Sequence, residues 1–307
     1  MLSGSDEHGT PITVTADETG KSPQAVVDEN HDAIFASLVE LGCSWGQTLD
    51  RRGVEFGGAL YGRTSDPRHH ELVQDILLEL HENGFLIQET MEQFCSVADD
   101  GGIKFLPDRY VQGVCPACSA EGARGDQCDA CGATYEANEL KDPVSKLNPE
   151  IPVEIRETDH LFFRLDLLQD DLETHAASRR STWKPNVRAM TQNWLNMGLR
   201  PRAVTRDIEW GVKIPLDDEV WGEKRVYVWF DAVQGYLTCA RIWSERIAEE
   251  SGSESDIWRR WWMDGGNLRH IYFMGKDNIP FHTIIWPGIL MALNRGREDH
   301  ERLHLED

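Results

Sequence analysis

The sequence predicts an α/β fold split by a small cysteine-bearing insertion. Three observations lead there. Amphipathic helical stretches and β-branched runs alternate toward both ends of the chain. Residues 88–160 change to short β-rich stretches with many glycines. Four of the seven cysteines fall inside that middle segment. The expected division is 1–87 as the first α/β part, 88–160 as the insertion and 161–307 as the second α/β part.

The elements follow in order. Leu2 to Pro11 reads as the end of a strand running into a turn. Ser22 is an N-cap with Pro23 at the first helical position, and Val26, Val27, Ile34, Leu38 and Leu41 fall on one face of the helix that ends near Gly42. A second helix starts at Asp66-Pro67 and runs through Leu72, Ile76, Leu77 and Leu80 to Gly84. Beyond the insertion, Phe162 to Leu172 alternates apolar and acidic residues, and Asn186 to Met197 is helical, stopping at Gly198. Val226 to Phe230 reads as a buried strand, His270 to Met274 as another, and Phe281 to Leu293 as an apolar helix. Glu249 to Ser255 is a solvated loop.

Cys115-Pro-Ala-Cys118 and Cys128-Asp-Ala-Cys131 carry the strongest chemistry. Each Cys-x-x-Cys turn points two thiolates at one centre, and two turns close a tetrahedral sulfur shell that suits Zn²⁺. Gly113, Gly125 and Gly132 serve the tight turns. A disulfide framework is the alternative. Four thiolates leave no open position, so one structural zinc is expected. Cys43, Cys95 and Cys239 are scattered and read as small buried apolar residues.

The net charge of −22 excludes nucleic-acid binding by bulk electrostatics. Any nucleic acid must meet local patches or parts outside this chain. Only 8 of the 31 Lys and Arg are lysine, which points to a salt-adapted host or a high-GC genome. The opening Met1-Leu2-Ser3-Gly4 lacks a charged leader, and Ile284 to Leu293 is too short to span a bilayer and contains Pro287. A soluble, reduced, cytoplasmic protein without a membrane partner is expected.

Single motifs are weak. Asp6-x-His8 at a strand end is where α/β sheets place ligands, but a turn-capping aspartate serves as well. Arg206-Asp207 fits a surface pair. Trp229 and Tyr236 fit a core. Gly275-Lys276-Asp277-Asn278 lies between a strand and a helix without being a Walker loop, and His282 and Trp286 sit four apart on one helix face.

In order, they resemble the methionyl-tRNA synthetases, a class I aminoacyl-tRNA synthetase family. The resemblance rests on Gly4-Ser-Asp-Glu-His-Gly-Thr-Pro11, Phe105 to Val111, Gly125 to Cys128 and Thr205-Arg-Asp207. It continues at Tyr227-Val-Trp-Phe-Asp-Ala232, Phe273-Met-Gly-Lys-Asp277 and Phe281-His-Thr-Ile-Ile-Trp-Pro287. It implies a Rossmann-type catalytic domain split by a connective-peptide insertion carrying the zinc knuckle. It also implies a ligase that joins L-methionine to ATP (with Mg²⁺), forming methionyl-adenylate, and passes the methionyl group to tRNA(Met).

Carried over by position, Asp6 would receive the substrate ammonium, and Arg206 would hold that carboxylate in place. Trp229, Ala232, Tyr236, Phe281, His282 and Trp286 would wall the methionine side chain, with Asn278 and Val233 nearby. Gly275 and Asp277 would meet the adenosine ribose of ATP, and His8 and Lys276 would be catalytic. A Tyr or His hydrogen bond to the thioether sulfur would sharpen discrimination.

The sequence departs from the family in four ways. The His-Ile-Gly-His and Lys-Met-Ser-Lys-Ser signatures are missing, as is an anticodon-binding helical domain, so this chain is expected not to aminoacylate alone. Cys95 stands without a partner motif, which implies one zinc rather than two. Val233 stands where the family most often has proline. The rivals are another class I synthetase, for isoleucine, leucine or valine, which needs a larger insertion than 88–160, and a non-catalytic zinc-knuckle binding module.

Overall fold

A computed structural model describes residues 2–43, 48–49, 55–56, 60–97, 103–106, 110–125, 128, 130–131, 139–146, 148–252, 255–263 and 269–305. Positions 107–109, 126–127, 132 and 253–254, used above on sequence grounds, lie outside the described residues.

The first part opens with β1 (Ser3–Ser5), α1 (Thr10–Thr19) and α2 (Pro23–Glu40), followed by a small antiparallel pair, β2 (Thr48–Leu49) and β3 (Glu55–Phe56), and then β4 (Tyr61–Arg63). β1 and β4 run parallel, Ser3 opposite Tyr61 and Ser5 opposite Arg63. A Cβ on Gly4 would sit 2.7 Å from the Gly62 carbonyl oxygen, so this pair closes only because the position is glycine. α3 (Pro67–Glu82) starts where expected, with the Asp66 carboxylate accepting from Arg68 N–H. It buries Leu72, Val73, Ile76, Leu77 and Leu80.

The strand end and turn expected over Leu2 to Pro11 are present, with the turn at Gly9, and α1 then occupies residues to which no element was assigned; the hydroxyls of Thr13, Thr15 and Thr19 bond back to carbonyls one turn earlier. One expectation here needs correction. In α2 only Val26 and Val27 are buried, while Ile34 and Leu41 are 44% and 79% exposed. The Ser22 cap does form, its side chain accepting from Ala25 N–H.

The insertion hangs on two long strands, β5 (Leu86–Val97) and β10 (Val153–Phe163), paired antiparallel from Leu86–Phe163 to Ser96–Val153. Between them come β6 (Ile103–Phe105), which extends this sheet beside β5, and β7 (Val111–Val114), β8 (Ala123–Arg124) and β9 (Lys141–Ser145), which form a separate sheet ordered β8-β7-β9. Only short strands were expected. On β5, Gln88 to Thr90 are exposed polar residues, while their partners Leu161, His160 and Asp159 on β10 are buried or half-buried, so no simple hydrophobic alternation marks the ribbon.

The second part holds α4 (Gln169–Ser178), α5 (Pro185–Asn196), β11 (Arg202–Ala203), β12 (Thr205–Arg206), α6 (Asp218–Trp221), β13 (Arg225–Val226), α7 (Val228–Asp231), α8 (Gly235–Ser251), α9 (Arg259–Trp262) and α10 (Trp286–Asn294). α5 ends as expected before Gly198, which adopts a left-handed φ of 76°. The strand expected over Val226 to Phe230 stops at Val226. Tyr227 N–H bonds the Val204 carbonyl at 2.8 Å, and Phe230 N–H then turns back to Tyr227, starting a helix that aims Asp231 at the first part. His270 to Met274 forms no strand; Ile271 and Phe273 are 65% and 89% exposed there.

One core joins α3, the base of β10 (Leu161, Phe163), Leu165, Leu168 and α10 (Trp286, Ile289, Leu290, Leu293). A second, smaller core gathers Phe94, Leu106, Tyr110, Val111, Cys115, Cys128 and Leu140 of the insertion with Val14 of α1. No helix among the described residues is long and apolar enough to cross a membrane.

Candidate active site

β1 delivers Asp6, Glu7 and His8 to one end of the parallel pair. Gly9, at φ 96°, turns the chain into α1, and a Cβ there would lie 3.1 Å from the Val228 side chain. Glu7 is buried and anchors the turn: it accepts from Ser5 Oγ at 2.6 Å, from Arg63 Nε at 2.8 Å and from Ser65 Oγ. Trp210 Nε1–H donates to its main-chain oxygen at 2.7 Å.

His8 was expected to be catalytic, but it is buried behind Asp6 and does not line the cavity. Its Nδ1 lies 2.8 Å from Asp231 Oδ2, across 223 residues of sequence, with both side chains at 1% exposure or less. Burial opposes charge on His8, yet the charge and hydrogen bond of Asp231, with help from Asp6, raise its pKa. Burial pushes the Asp231 carboxyl up and the His8 charge pulls it back. Around this pair, His69 is pushed down to about 3 and His70 to about 4, by burial first and then by the His8 charge. His70 Nε2 stands 3.2 Å from His8 Nε2, so a single proton lies between the two rings.

Beside the turn opens a cavity of about 350 Å³. Of the residues carried over by resemblance, Asp6, Trp229, Ala232, Val233, Tyr236, Asn278 and His282 line it. Gly4, Arg63, Thr64, His69 and Cys239 also line it and were not anticipated. Apart from Gly4, none of these lies in a segment singled out in the sequence; the β1–β4 pairing, the start of α3 and the return of α8 bring them there.

Trp229 stacks on Phe281, with centroids 4.6 Å apart at 16°, and Tyr272 meets the Tyr236 ring edge-on at 4.7 Å. His282 Nδ1 lies 2.9 Å from the Asn278 carbonyl, which can only accept, so Nδ1 carries the proton and Nε2 is bare. Tyr236 O–H therefore donates to Nε2 at 2.7 Å, and burial keeps this histidine's pKa low. The expected hydrogen bond from Tyr236 or His282 to a ligand sulfur does not fit this arrangement, because both protons are already used.

Asp6 lines the cavity and is open to water. Dense surrounding protein and the nearby Asp231 charge raise its carboxyl toward about 8, against attraction to His8. Water at the carboxylate tempers the desolvation part, so about 8 is the ceiling of that rise.

Other expected site residues sit apart. Trp286 is fully buried and packs edge-on against Trp262 at 5.9 Å, a core residue rather than a wall. Arg206 points its Nη1 at the carbonyls of Ala203 and Thr205, 3.3 and 2.8 Å away, and lies over the Tyr227 ring at 4.0 Å. No ion pair joins it to Asp6 among the described residues. Its neighbour Asp207 is not the surface pair expected but sits in a mostly buried network with Lys224 and His160. Gly275, Lys276 and Asp277 are exposed on a 3-10 turn that leads into Asn278.

In the insertion, Cys115, Cys118, Cys128 and Cys131 bring their sulfurs within 4.8 Å of one another. The Cys115–Cys131 and Cys118–Cys128 separations are 3.9 and 3.7 Å. A disulfide needs about 2.05 Å, so the disulfide alternative does not fit. A tetrahedron of sulfurs at about 2.3 Å from Zn²⁺ has edges of roughly 3.8 Å, which this set matches. Cys115 and Cys128 lie in the core while Cys118 and Cys131 face solvent. Of the scattered cysteines, Cys95 and Cys239 are buried as expected, and Cys43 is half-buried.

The family model described as tRNA synthetases class I (M) matches residues 1–304. The chain is 46% identical over 297 residues to a methionine–tRNA ligase of Nocardioides sp. (strain ATCC BAA-499 / JS614), covering 95% of this chain and 46% of that protein. It is 42% identical over 298 residues to one from Chlorobaculum tepidum, covering 97% and 39%. This chain thus spans less than half the length of these relatives. Among solved structures, the Mycobacterium tuberculosis methionyl-tRNA synthetase bound by methionyl-adenylate shares the fold, with a TM-score of 0.62, 23% identity, and coverage of 99% of this chain and 48% of that one. A second structure of that enzyme in complex with methionyl-adenylate gives 0.65 at 23% identity.

Proposed function

The chain belongs to the class I (M) tRNA synthetases, and from that premise we propose that it is the methionine-binding part of a methionine–tRNA ligase. The reaction is activation of L-methionine by ATP, the substrate carboxylate attacking the α-phosphate and expelling pyrophosphate, followed by transfer of the methionyl group to the tRNA(Met) 3′ end with release of AMP. One observation carries this reading: an aromatic-walled cavity with a single carboxylate, Asp6, at its open side. A thioether gains about 0.3–1.5 kcal/mol from each aromatic contact, and Trp229, Tyr236 and His282 supply such surfaces. With the Tyr236 and His282 protons engaged, recognition of sulfur rests on polarizable contact rather than on a donated hydrogen bond.

Asp6 receives the ammonium. His8 and Asp231 pack behind it as a buried pair, His8 favouring and Asp231 opposing the ionisation of Asp6, a positioning role. Gly275, Lys276 and Asp277, on their exposed turn next to the cavity, serve the ribose and phosphates of ATP with its Mg²⁺. Arg206 reaches substrate only by leaving its two carbonyls. The four cysteines hold one zinc, whose chemistry is structural: it cross-links the two Cys-x-x-Cys turns. The sequence contains neither His-Ile-Gly-His nor Lys-Met-Ser-Lys-Ser, motifs that supply electrostatic stabilisation at the phosphates. We therefore propose that these 307 residues bind methionine but do not activate it unaided.

Calorimetric titration with methionine and with a methionyl-adenylate analogue, beside an ATP–pyrophosphate exchange assay, tests this. Binding of both without exchange supports it. Absence of binding favours a non-catalytic module, and methionine-dependent exchange at a normal rate defeats the claim of dependence on the missing motifs.

A further inference from the structure

In a chain of net charge −22, the longest stretch without any Asp or Glu runs from Thr174 to Arg206, and it holds seven of the 31 Lys and Arg. Part of it folds around one feature. α4 and α5 border an open cavity of about 500 Å³ lined by Arg180, Trp183 and Arg188, with Gln192 further along α5. Arg188 Nη1–H donates to the Arg180 main-chain oxygen at 3.0 Å, which brings the second arginine to the base of the first. Lys184 is exposed at the start of α5, between them in sequence. Among the described residues, none of Arg180, Lys184 or Arg188 forms an ion pair with a carboxylate. Of the acids on α4, Asp171 is paired with Arg295 and Glu173 accepts from Gln169.

From this placement we infer that the α4–α5 face is the surface on which the protein receives an RNA backbone. In a strongly acidic protein, a polyanion is steered toward a surface built from the longest acid-free stretch of the chain. Arginine forks match phosphate oxygens in pairs, where lysine would offer only a point charge. The Trp183 indole between them gives an unstacked base an aromatic surface, which favours RNA over an acidic peptide or an anionic membrane. The cavity is lined by none of the residues of the methionine site, so the two surfaces are separate. The inference rests on the reading that the chain serves a tRNA ligase, and it deepens that reading by assigning the RNA contact to named residues.

The test is fluorescence anisotropy of the whole chain with a labelled tRNA acceptor-stem hairpin carrying a single-stranded 3′ end, across a series of KCl concentrations. The double substitution Arg180→Ala/Arg188→Ala is expected to weaken binding about tenfold and to reduce the slope of log K against log salt by about 2 units. Arg180→Lys/Arg188→Lys should keep that slope while still losing affinity. Arg156→Ala, an exposed arginine of the insertion stem that pairs with Glu154, should change neither. An unchanged affinity and slope in the Ala variant overturns the inference, as does equal binding of polyglutamate or of phosphatidylserine vesicles to the same face. Methionine titration of each variant reads the preceding proposal separately: loss of RNA binding with methionine affinity intact bears on this surface alone.

Discussion

Methionine affinity should depend on the ionisation of Asp6. That carboxyl is raised from 3.8 toward a ceiling of about 8, by the protein packed around it and by Asp231. With a pKa of about 8, only about one molecule in a thousand is ionised at pH 5 and half are ionised at pH 8. An ordinary carboxyl would change by about a tenth or less, because it is already ionised at pH 5. The sign is fixed by linkage. The folded apo-protein holds a proton that the unfolded chain has lost, so Asp6 makes stability fall as pH rises from 3.8 through its folded pKa. An ammonium ligand binds the ionised form, so affinity rises over the same window. The dissociation constant for methionine, followed by calorimetry from pH 5 to pH 8, should drop at least about tenfold. Asp6→Asn should flatten the profile and cost about 1.5–3 kcal/mol at pH 8, the worth of a hydrogen bond to a charged group. A flat wild-type profile, or an Asn variant that keeps the wild-type slope, refutes the assignment.

Three further outcomes are expected. Cys128→Ser should leave less than one equivalent of zinc per chain by elemental analysis, and a chelator should melt the insertion first, since a structural zinc contributes on the order of 10–16 kcal/mol to folding of such a module. Removing the amine from the mostly buried Lys224–Asp207–His160 network by Lys224→Met should destabilise the protein by about 3–5 kcal/mol in denaturant titrations, because Asp207 is left without its closest cation. Gly62→Ala would place a methyl group 2.5 Å from Cys239 Sγ and should cost about 1–3 kcal/mol in the same assay, with Cys239→Ala in that background recovering part of the loss.

Local signals in the sequence were reliable where the physics is local. Ser22-Pro23 and Asp66-Pro67 mark helix starts because capping involves atoms only a few residues apart. The cysteine spacing foretold the convergence of four sulfurs for the same reason. What the sequence concealed depends on distant partners. Tyr227 leaves the strand for a helix because Val204 takes its N–H, and Asp231 reaches His8 only through that turn. The long β5–β10 ribbon carries no simple alternation, since Gln88 to Thr90 of β5 are exposed while the polar His160 opposite them is buried. Of the residues carried over by resemblance, most line the cavity, while Trp286 lies in the core and Arg206 is held by carbonyls of its own strand region.

α1 joins two places that no ligand would touch together. It begins one residue after Gly9, on the turn that carries Asp6 and His8, and its Val14 is buried in the same apolar cluster as Cys115 and Cys128. Asp17 and Glu18 near its far end reach Tyr110 and Lys146 of the insertion, at 3.4 and 3.6 Å. The helix is therefore a strut footed in the cysteine module and ending at the ammonium receptor. Loosening the sulfur cluster removes the footing and leaves the Asp6 turn to the contacts of Glu7 with Arg63, Ser65 and Trp210 and to the His8–Asp231 pair. A metal with no coordination site for substrate would then tune substrate affinity through ten residues of helix.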